Sequence, residues 1–184
     1  MKQHYTIISI IFLFLFPCCN PHKEKKTSSN PQSQKFECEL FSVSIPSGYY
    51  YAEESKGNDF HKLIIGKDSQ DADKTTIMWE TSNIFPGSAE QFVGVITAEE
   101  IEDYKSSHSF YDVLEIDSTF VIDGFPTYSI SSIFTEDGDT IVQSRTGIVC
   151  PNKFDMMIIQ RANTSKSEEE LQPMFGIISS IRFK

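Results

Sequence analysis

Length, composition and charge place the chain among ordinary globular proteins. It has 184 residues, of which 39% are hydrophobic and 23% are charged, and fibrous or wholly disordered chains do not have this composition. The formal net charge is −10, and the part from Phe36 onward holds 25 acidic and 11 basic residues. Phosphates repel a domain this acidic, which excludes nucleic acid as a partner and flat adsorption on an anionic membrane.

The first predicted segment is a secretory signal peptide at residues 1–17. Lys2 and His4 make a short positive start, and Ile7–Phe16 is apolar except for Ser9. This run is about half of what a membrane-spanning helix needs, whereas it matches the apolar region of a signal peptide. No second long apolar run follows in the sequence.

Two adjacent cysteines, Cys18 and Cys19, end this apolar run. The stretch Leu15-Phe16-Pro17-Cys18 resembles the lipobox of bacterial lipoproteins, in which a leucine stands three residues before the acylated cysteine. The resemblance implies cleavage before Cys18 and a diacylglyceryl group on its sulfur. Cys19 is the rival site, because Pro17 stands where the lipobox usually has Gly, Ala or Ser. The alternative is a secretory protein that carries no lipid.

Residues 18–35 are predicted to form a flexible tether to a globular domain at residues 36–184. The stretch "NPHKEKKTSSNPQSQK" has no aliphatic or aromatic side chain, so it cannot bury enough surface to fold. The two chains of a diacylglyceryl group would hold the protein stably on a membrane. Together these features predict the bacterial cell envelope, with the membrane as a partner through the lipid and the domain facing the periplasm or the exterior.

The two remaining cysteines, Cys38 and Cys150, lie inside the predicted domain. Export leads to an oxidising environment, in which a Cys38–Cys150 disulfide is expected to form. The alternative is that both are small buried hydrophobic residues in strands.

Four strands are predicted in the first half of the domain. Phe41, Val43 and Ile45 alternate with serines, Pro46-Ser47-Gly48 is a turn signal, and "YYYAEES" starts the next strand. We therefore expect a hairpin between these two strands. "KLIIGKD" and "TTIMWETSNI" predict two more strands.

Helix is predicted within residues 86–108. Ser88-x-x-Gln91 and Thr97-x-x-Glu100 both have the capping-box pattern that begins a helix. We therefore expect two helical pieces with a break near Gly94.

The second half of the domain is rich in strands. Asp123-Gly124 and Asp137-Gly138-Asp139 are hairpin turn signals, and "YSISSIF" and "TIVQSRTGIV" are expected to pair around the second one. The continuous apolar run of "FDMMIIQRA" predicts a central strand that is covered on both faces.

A C-terminal helix is predicted to begin with a third capping box, Ser167-x-x-Glu170. Pro173 inside it predicts a kink or a restart. Ile181-Arg182-Phe183 is either a short closing strand or the end of the helix.

This order of elements predicts an α+β fold with a central, mostly antiparallel sheet of about six or seven strands and helices packed against it. The stretches "FSVSIPSGYY", "IDGFPTYSISSIF", "FDMMIIQRAN" and "MFGIISSIRFK" resemble the PsbP/Mog1-like superfamily in pattern, order and spacing. The resemblance spans residues 36–184 and implies a sheet sandwiched between helices. Members mostly bind other proteins and share no catalytic apparatus, so the resemblance implies no site residues.

The sequence contains no recognisable motif for catalysis, for a cofactor or for a metal. The G-x-S-x-G, P-loop and G-x-G-x-x-G patterns do not occur. Apart from Asp59, two residues before His61, neither His61 nor His108 has a ligand neighbour at familiar metal spacing. Asp68, Asp71 and Asp73 do not fit an EF-hand loop. We therefore expect no enzyme activity, no cofactor and no metal site.

Tyr49, Tyr50, Tyr51 and Trp79 form a candidate binding surface. Strand alternation turns some of the tyrosines outward, and exposed aromatic patches mark binding surfaces. The alternative is packing in the core and at its edges.

The predicted function is that of a non-enzymatic, membrane-anchored lipoprotein of the cell envelope whose domain binds a protein partner. The alternative is a periplasmic carrier of a small molecule or lipid, which needs an apolar cavity on the order of several hundred Å³ beside the sheet.

Overall fold

The computed structural model describes residues 33–56, 59–67, 73–82, 85–107, 111–150 and 154–184. The predicted signal peptide, both candidate acylation sites (Cys18 and Cys19) and nearly all of the predicted tether lie outside the described residues. Asp68, Asp71 and His108 also lie outside them. The expectations that depend on these residues stay predictions from the sequence.

The described residues form twelve strands and two helices. Neither helix combines the length and the apolar character that crossing a membrane requires. In chain order the elements are β1 (Gln34–Glu37), β2 (Phe41–Ile45), β3 (Tyr50–Lys56), β4 (Phe60–Gly66), β5 (Lys74–Glu80), α1 (Ala89–Ser107), β6 (Tyr111–Asp117), β7 (Val121–Ile122), β8 (Phe125–Pro126), β9 (Tyr128–Glu136), β10 (Asp139–Cys150), β11 (Phe154–Asn163), α2 (Glu168–Ser179) and β12 (Arg182–Phe183).

Seven strands build the central sheet, in the order β3-β4-β5-β11-β10-β9-β6. Every neighbouring pair in it is antiparallel. β1, β2 and β12 form a separate three-stranded sheet, and β7 pairs only with β8. The predicted α+β fold with a mostly antiparallel sheet of six or seven strands is confirmed.

Both faces of the central sheet are covered. On one face lies α1, whose buried Val93 packs with Ile130 and Met157. On the other face lie α2 and the three-stranded sheet, whose apolar side chains share one large cluster with Met156 and Ile158. β11 is fourth of the seven strands and supplies side chains to both clusters, so the prediction that it is central is confirmed.

Helix α1 begins at the predicted capping box and continues through Gly94. The Ser88 N–H donates to Gln91 Oε1 (3.1 Å), and the Gln91 N–H donates to Ser88 Oγ (3.3 Å). Thr97 lies inside the helix and is buried, so the predicted second capping box and the break near Gly94 are wrong. The apolar face that includes Val93 packs on the sheet on both sides of the glycine, and this packing outweighs the local signal.

β2 and β3 lie in different sheets, so the hairpin predicted between them is wrong. β2 is already paired with β1 on one side and with β12 on the other, which leaves it no edge for β3. Gly48, with φ of +80°, and the bond from the Tyr49 N–H to the Pro46 carbonyl (3.1 Å) carry the chain from one sheet to the other. β1 begins at Gln34, two residues before the predicted domain boundary.

The two aspartate–glycine turn signals of the second half of the domain are confirmed. Asp123-Gly124 and Asp137-Gly138 each connect two paired strands, and all four residues have positive φ, as a two-residue hairpin turn of type I′ requires.

The capping box of Ser167 and Glu170 opens α2, and Arg182–Phe183 closes the small sheet as β12. The helix α2 runs from Glu168 to Ser179 without a restart at Pro173. A proline in the second turn removes only one intrahelical hydrogen bond, and Met174, Ile177 and Ile178 beyond it are buried.

Among the described glycines of the central sheet, Gly147 of β10 is the one that α1 approaches most closely. A Cβ atom at this position would lie 2.3 Å from Val93 Cγ2 and 3.1 Å from Phe92 Cδ1. Valine has little freedom to rotate inside a helix, so α1 itself would have to shift.

Replacing Gly147 with alanine is therefore expected to lower the free energy of unfolding by about 1–3 kcal/mol, the usual cost of overpacking. Urea unfolding followed by circular dichroism measures the change. Gly176→Ala in α2 is the matched control: nothing lies within 4 Å of its Cβ position, and the better helix former should add roughly 0.5–1 kcal/mol. Unchanged stability in Gly147→Ala would contradict the close packing of α1 on β10.

Asp155 is a buried acid at the start of β11. Its side chain is 4% exposed and faces Glu80 across the pair of strands. Oδ2 accepts the N–H of Phe85, whereas Oδ1 has no hydrogen-bond partner among the described residues. Burial raises the pKa of Asp155; the Phe85 N–H opposes the rise, and the charge of Glu80 adds to it.

This raised pKa makes stability depend on pH. Between the unfolded-state pKa of about 3.9 and the higher folded-state pKa, the folded protein binds more protons than the unfolded chain, so the free energy of unfolding falls as the pH rises. In Asp155→Asn the free energy of unfolding should not fall in this way. At neutral pH it should therefore exceed that of the parent by roughly 1.4 kcal/mol for each unit by which the pKa of Asp155 is raised. Urea unfolding between pH 4 and neutrality is the measurement.

Asp117→Asn is the control of opposite sign. Hydrogen bonds from the N–H and then the hydroxyl of Thr119 lower the pKa of Asp117, so the parent protein should lose that contribution as the pH falls, not as it rises. A difference between Asp155→Asn and the parent that does not change with pH would refute the buried-acid account.

Candidate functional site

Two of the four aromatic residues expected on a binding surface belong to the core. Trp79 is 4% exposed and Tyr49 is 7% exposed. The Trp79 ring meets Phe41 edge-on, with centroids 5.0 Å apart, and stacks on the His61 ring at 5.1 Å. The expected surface is therefore wrong at Trp79 and Tyr49, where the alternative of core packing is correct.

Tyr50 and Tyr51 are half-buried and point to opposite faces of β3. The Tyr51 ring lies at the margin of the large cluster, 6.0 Å from the ring of Phe36. The four aromatic residues thus do not converge on one surface. The cause is the three-stranded sheet, which covers this end of the central sheet through contacts that are distant in sequence.

No disulfide joins Cys38 and Cys150 in the described part of the chain. Cys150 is buried, and Cys38 is half-buried and packs against the cluster that contains Cys150. The Cys38 thiol also donates to the Phe41 carbonyl (3.6 Å). Both behave here as small hydrophobic residues, and a Cys38–Cys150 bridge under oxidising conditions stays a prediction.

The described part of the chain brings no three metal-ligating side chains together. Asp73 serves the fold instead, because its Oδ1 accepts the Asn163 N–H (2.6 Å) and its Oδ2 lies 3.7 Å from Lys166 Nζ.

A cleft of about 240 Å³ lies on the α2 face of the central sheet, over β6, β9 and β10. Its floor is polar and its rim is partly aromatic. The lining residues are Glu115, Asp117, Phe120, Ser129, Ser131, Ser144, Thr146, Gln160, Phe175 and Ile178.

The floor of the cleft is a row of polar side chains that crosses five strands. In the register of the sheet, Glu115 lies opposite Ser131, Ser131 opposite Ser144, Ser144 opposite Gln160, and Gln160 opposite Thr75. Residues paired in this way point to the same face of a sheet. One end of the row is the Glu115 carboxylate, and the other end is the Thr75 hydroxyl, next to the Gln160 amide.

Gln160 fixes the inner end of this row. Its Nε2 donates to Thr75 Oγ1 (3.2 Å) and to the Met174 carbonyl of α2 (2.8 Å). The side chain is 8% exposed, so these bonds satisfy a buried amide that would otherwise be costly. They also hold α2 at the border of the cleft.

The neighbouring row adds a second carboxylate and a paired hydroxyl. Asp117 lies opposite Ser129, and Ser129 lies opposite Thr146. The oxygens of Ser129 and Thr146 are 2.6 Å apart and share a hydrogen bond. The lowered pKa of Asp117, which results from its bonds to Thr119, keeps this carboxylate charged at neutral pH.

Phe120 and Phe175 stand at the rim, with 40% and 46% of their surface exposed. The cleft therefore offers hydroxyls below, carboxylates at one end and apolar rings above. It can bind a small group that carries a positive charge or hydrogen-bond donors.

Beside the cleft, β6 ends the central sheet. Its side chains are mostly exposed, and they include Val113 (40%), Leu114 (54%) and Ile116 (59%). Val121 follows with 53%. We call Val113, Leu114, Ile116, Phe120 and Val121 the edge patch.

Neither the cleft nor the edge patch was among the predictions from the sequence. The cleft could have been found, because Ser129 and Ser131 occupy alternate positions of a strand that is otherwise rich in apolar residues. No such signal exists for the edge patch, since "VLEI" is equally typical of a buried strand.

No protein-family model matches the chain, and no curated protein matches it. Solved structures match it in fold. PsbP (CyanoP) from Synechocystis sp. PCC 6803 is similar over 92% of this chain and 99% of its own, with a TM-score of 0.58 and 11% identity. LpqN, involved in cell envelope biogenesis of Mycobacterium tuberculosis, is similar over 85% of this chain and 87% of its own, with a TM-score of 0.52 and 11% identity.

A protein from Bacteroides thetaiotaomicron VPI-5482 is similar over 83% of this chain, with a TM-score of 0.51 and 13% identity, and this chain spans 49% of its length. Identities at this level establish a shared fold alone. The described domain has a PsbP-like α+β fold, as the resemblance of its sequence implied.

Proposed function

We propose that this protein is a non-enzymatic, lipid-anchored protein of the bacterial cell envelope whose folded domain binds a protein partner. The anchor is supported by the spacing from Leu15 to Cys18 after a short apolar run. The location agrees with LpqN, which has the same fold and takes part in cell envelope biogenesis.

The observation that carries the protein-binding part is the edge patch. Outer strands of monomeric proteins usually carry charges or are covered, because a bare edge pairs with other chains. β6 carries three acidic side chains, but it also exposes Val113, Leu114 and Ile116. A cluster of exposed apolar side chains on a sheet edge is typical of a surface that a partner covers.

The lining of the cleft supports binding rather than catalysis. Among its described residues are two carboxylates, four hydroxyls and one amide, but no histidine, cysteine or lysine. Histidine and lysine are the bases that most often activate a serine nucleophile, and neither is among these lining residues.

A carrier of a small polar molecule is the second candidate. The polar row of the cleft floor favours it, because several hydroxyls and an amide converge there. A lipid is a poor fit, since about 240 Å³ with a polar floor is less than the roughly 300–1,000 Å³ of an apolar ligand pocket.

The anchor is tested by the intact mass of protein purified from bacterial membranes. We expect a mature chain that begins at Cys18 with a diacylglyceryl group. Cys18→Ser should abolish cleavage and acylation, whereas Cys19→Ser, the matched control, should be processed normally. A product that keeps Met1, or one without fatty chains, would refute the anchor, and the reverse result in the two variants would select Cys19.

Partner binding is tested by crosslinking in native membranes, followed by mass spectrometry. We expect Leu114→Asp and Ile116→Asp to lower the yield of a defined crosslinked partner about tenfold, a change of about 1.4 kcal/mol in binding. Val95→Asp is the matched control, because Val95 is 53% exposed and belongs to α1, not to the edge patch.

Equal yields in all three variants, or capture of nothing beyond lipid and abundant porins, would contradict protein binding through the edge patch. A small molecule that native mass spectrometry finds on the purified protein, and that Ser131→Ala with Ser144→Ala removes, would favour the carrier.

A further inference from the structure

The two outer strands of the central sheet differ in character. β3 carries exposed Glu53 and Glu54, and Glu54 pairs with Lys62 of β4 at 3.3 Å. Such charges protect an edge against further pairing. β6, at the other end, also carries carboxylates, but it exposes Val113, Leu114 and Ile116 between them, and β3 has no exposed large apolar side chain among its described residues. Of the two edges, β6 is therefore the one that offers both apolar surface and acidic side chains to another strand.

Three local hydrogen bonds lie at the two ends of the open stretch of β6. The Val113 N–H donates to Asp112 Oδ1 (2.9 Å), which occupies the beginning of the edge. At the end of β6, Asp117 Oδ1 accepts both the N–H and the hydroxyl of Thr119, which follows the strand (2.7 Å each). Between them, a strand with one neighbour directs alternate backbone N–H and C=O groups outward.

The side chains of β6 differ between its two faces. Asp112, Glu115 and Asp117 point to the cleft face, whereas Val113 and Ile116 point to the face that α1 covers elsewhere. Leu114 is the extra residue of a bulge between Val113 and Glu115. An added strand thus meets carboxylates on one face and apolar side chains on the other.

We infer that the partner docks as an added β-strand on the edge of β6, and that this strand alternates basic and apolar side chains. The inference rests on the proposed function and names the chemistry of its partner. Main-chain hydrogen bonds to the edge supply affinity in such complexes, and the alternate side chains supply specificity.

The charge of the domain favours a basic segment over other occupants. The domain carries 25 acidic and 11 basic residues, and some of its cations are used internally: Arg145 is 1% exposed, and Arg161 pairs with Glu136. A second copy of this chain is a poor occupant, because symmetric pairing of two β6 strands would place their carboxylates face to face.

The cleft can bind a basic side chain of the docked strand. A docked strand lies about 4.8 Å outside β6, so its side chains on the cleft face reach over Glu115 and Asp117. Ser131 lies behind Glu115 in the same row, and Phe120 stands at the rim. Carboxylates, a hydroxyl and an aromatic ring are suitable partners for an ammonium or guanidinium group.

The test uses the full chain in neutral detergent and an eight-residue fluorescent peptide of alternating lysine and valine, followed by fluorescence anisotropy. We expect saturable binding that weakens with salt and no binding of a glutamate–valine peptide. Glu115→Lys should weaken binding at least tenfold. The matched control, Glu53→Lys on β3, makes the same change of charge at the other edge and should alter affinity less than about twofold.

A lysine–valine peptide with N-methyl groups on every second backbone nitrogen keeps its charge but cannot pair, so its affinity should drop at least tenfold. Equal binding of the methylated peptide, or equal loss in Glu53→Lys and Glu115→Lys, would show general attraction to an acidic surface and overturn the inference. A dimer of the chain that Glu115→Lys dissociates in sedimentation would also overturn it, in favour of a second copy.

Photo-crosslinkers placed at Ile116 and at Val95 in native membranes separate this inference from the proposed function. If a crosslinker at Ile116 captures a partner, and the lysine–valine peptide prevents this capture, the result supports both the docking inference and the proposed function. Capture from Val95 alone leaves protein binding in place and overturns docking on β6. Capture from neither position contradicts both.

Discussion

The register of β11 between β5 and β10 determines the rest of the fold. The pairing runs without a shift from Ile141 opposite Asn163 to Cys150 opposite Phe154. Side chains alternate along a strand, so a slip by one residue would exchange the two faces, and both hydrophobic clusters would be lost together. Gln160 opposes such a slip, because its bonds to Thr75 and Met174 exist in one register only.

The same register produces the surfaces that bear on function. It aligns the polar residues of successive strands into the floor of the cleft, and it leaves that floor open where α2 ends. On the opposite face, Gly147 lets α1 lie directly on β10. The helices thus cover the middle of the sheet, while β6 at its end stays accessible and presents acidic side chains on one face and apolar ones on the other.

Features that depend on neighbouring residues could be predicted from the sequence. The capping boxes at Ser88 and Ser167, the two aspartate–glycine turns and the central position of β11 are examples, because each follows from backbone or burial preferences within a few residues. The separation of β2 from β3, the burial of Trp79 and the exposure of Ile116 depend on which distant strands become neighbours. Hydrophobic periodicity shows which side of a strand is apolar, but it does not show what covers that side.

The unlike edges of the central sheet limit how many chains one domain can hold. β6 exposes large apolar side chains between its carboxylates, whereas the exposed side chains described on β3 include Glu53 and Glu54 and no large apolar residue. A single domain therefore offers one edge of this kind to a docked segment. Docking on β6, as inferred, would give complexes with one copy of each chain, and these would not extend through β3.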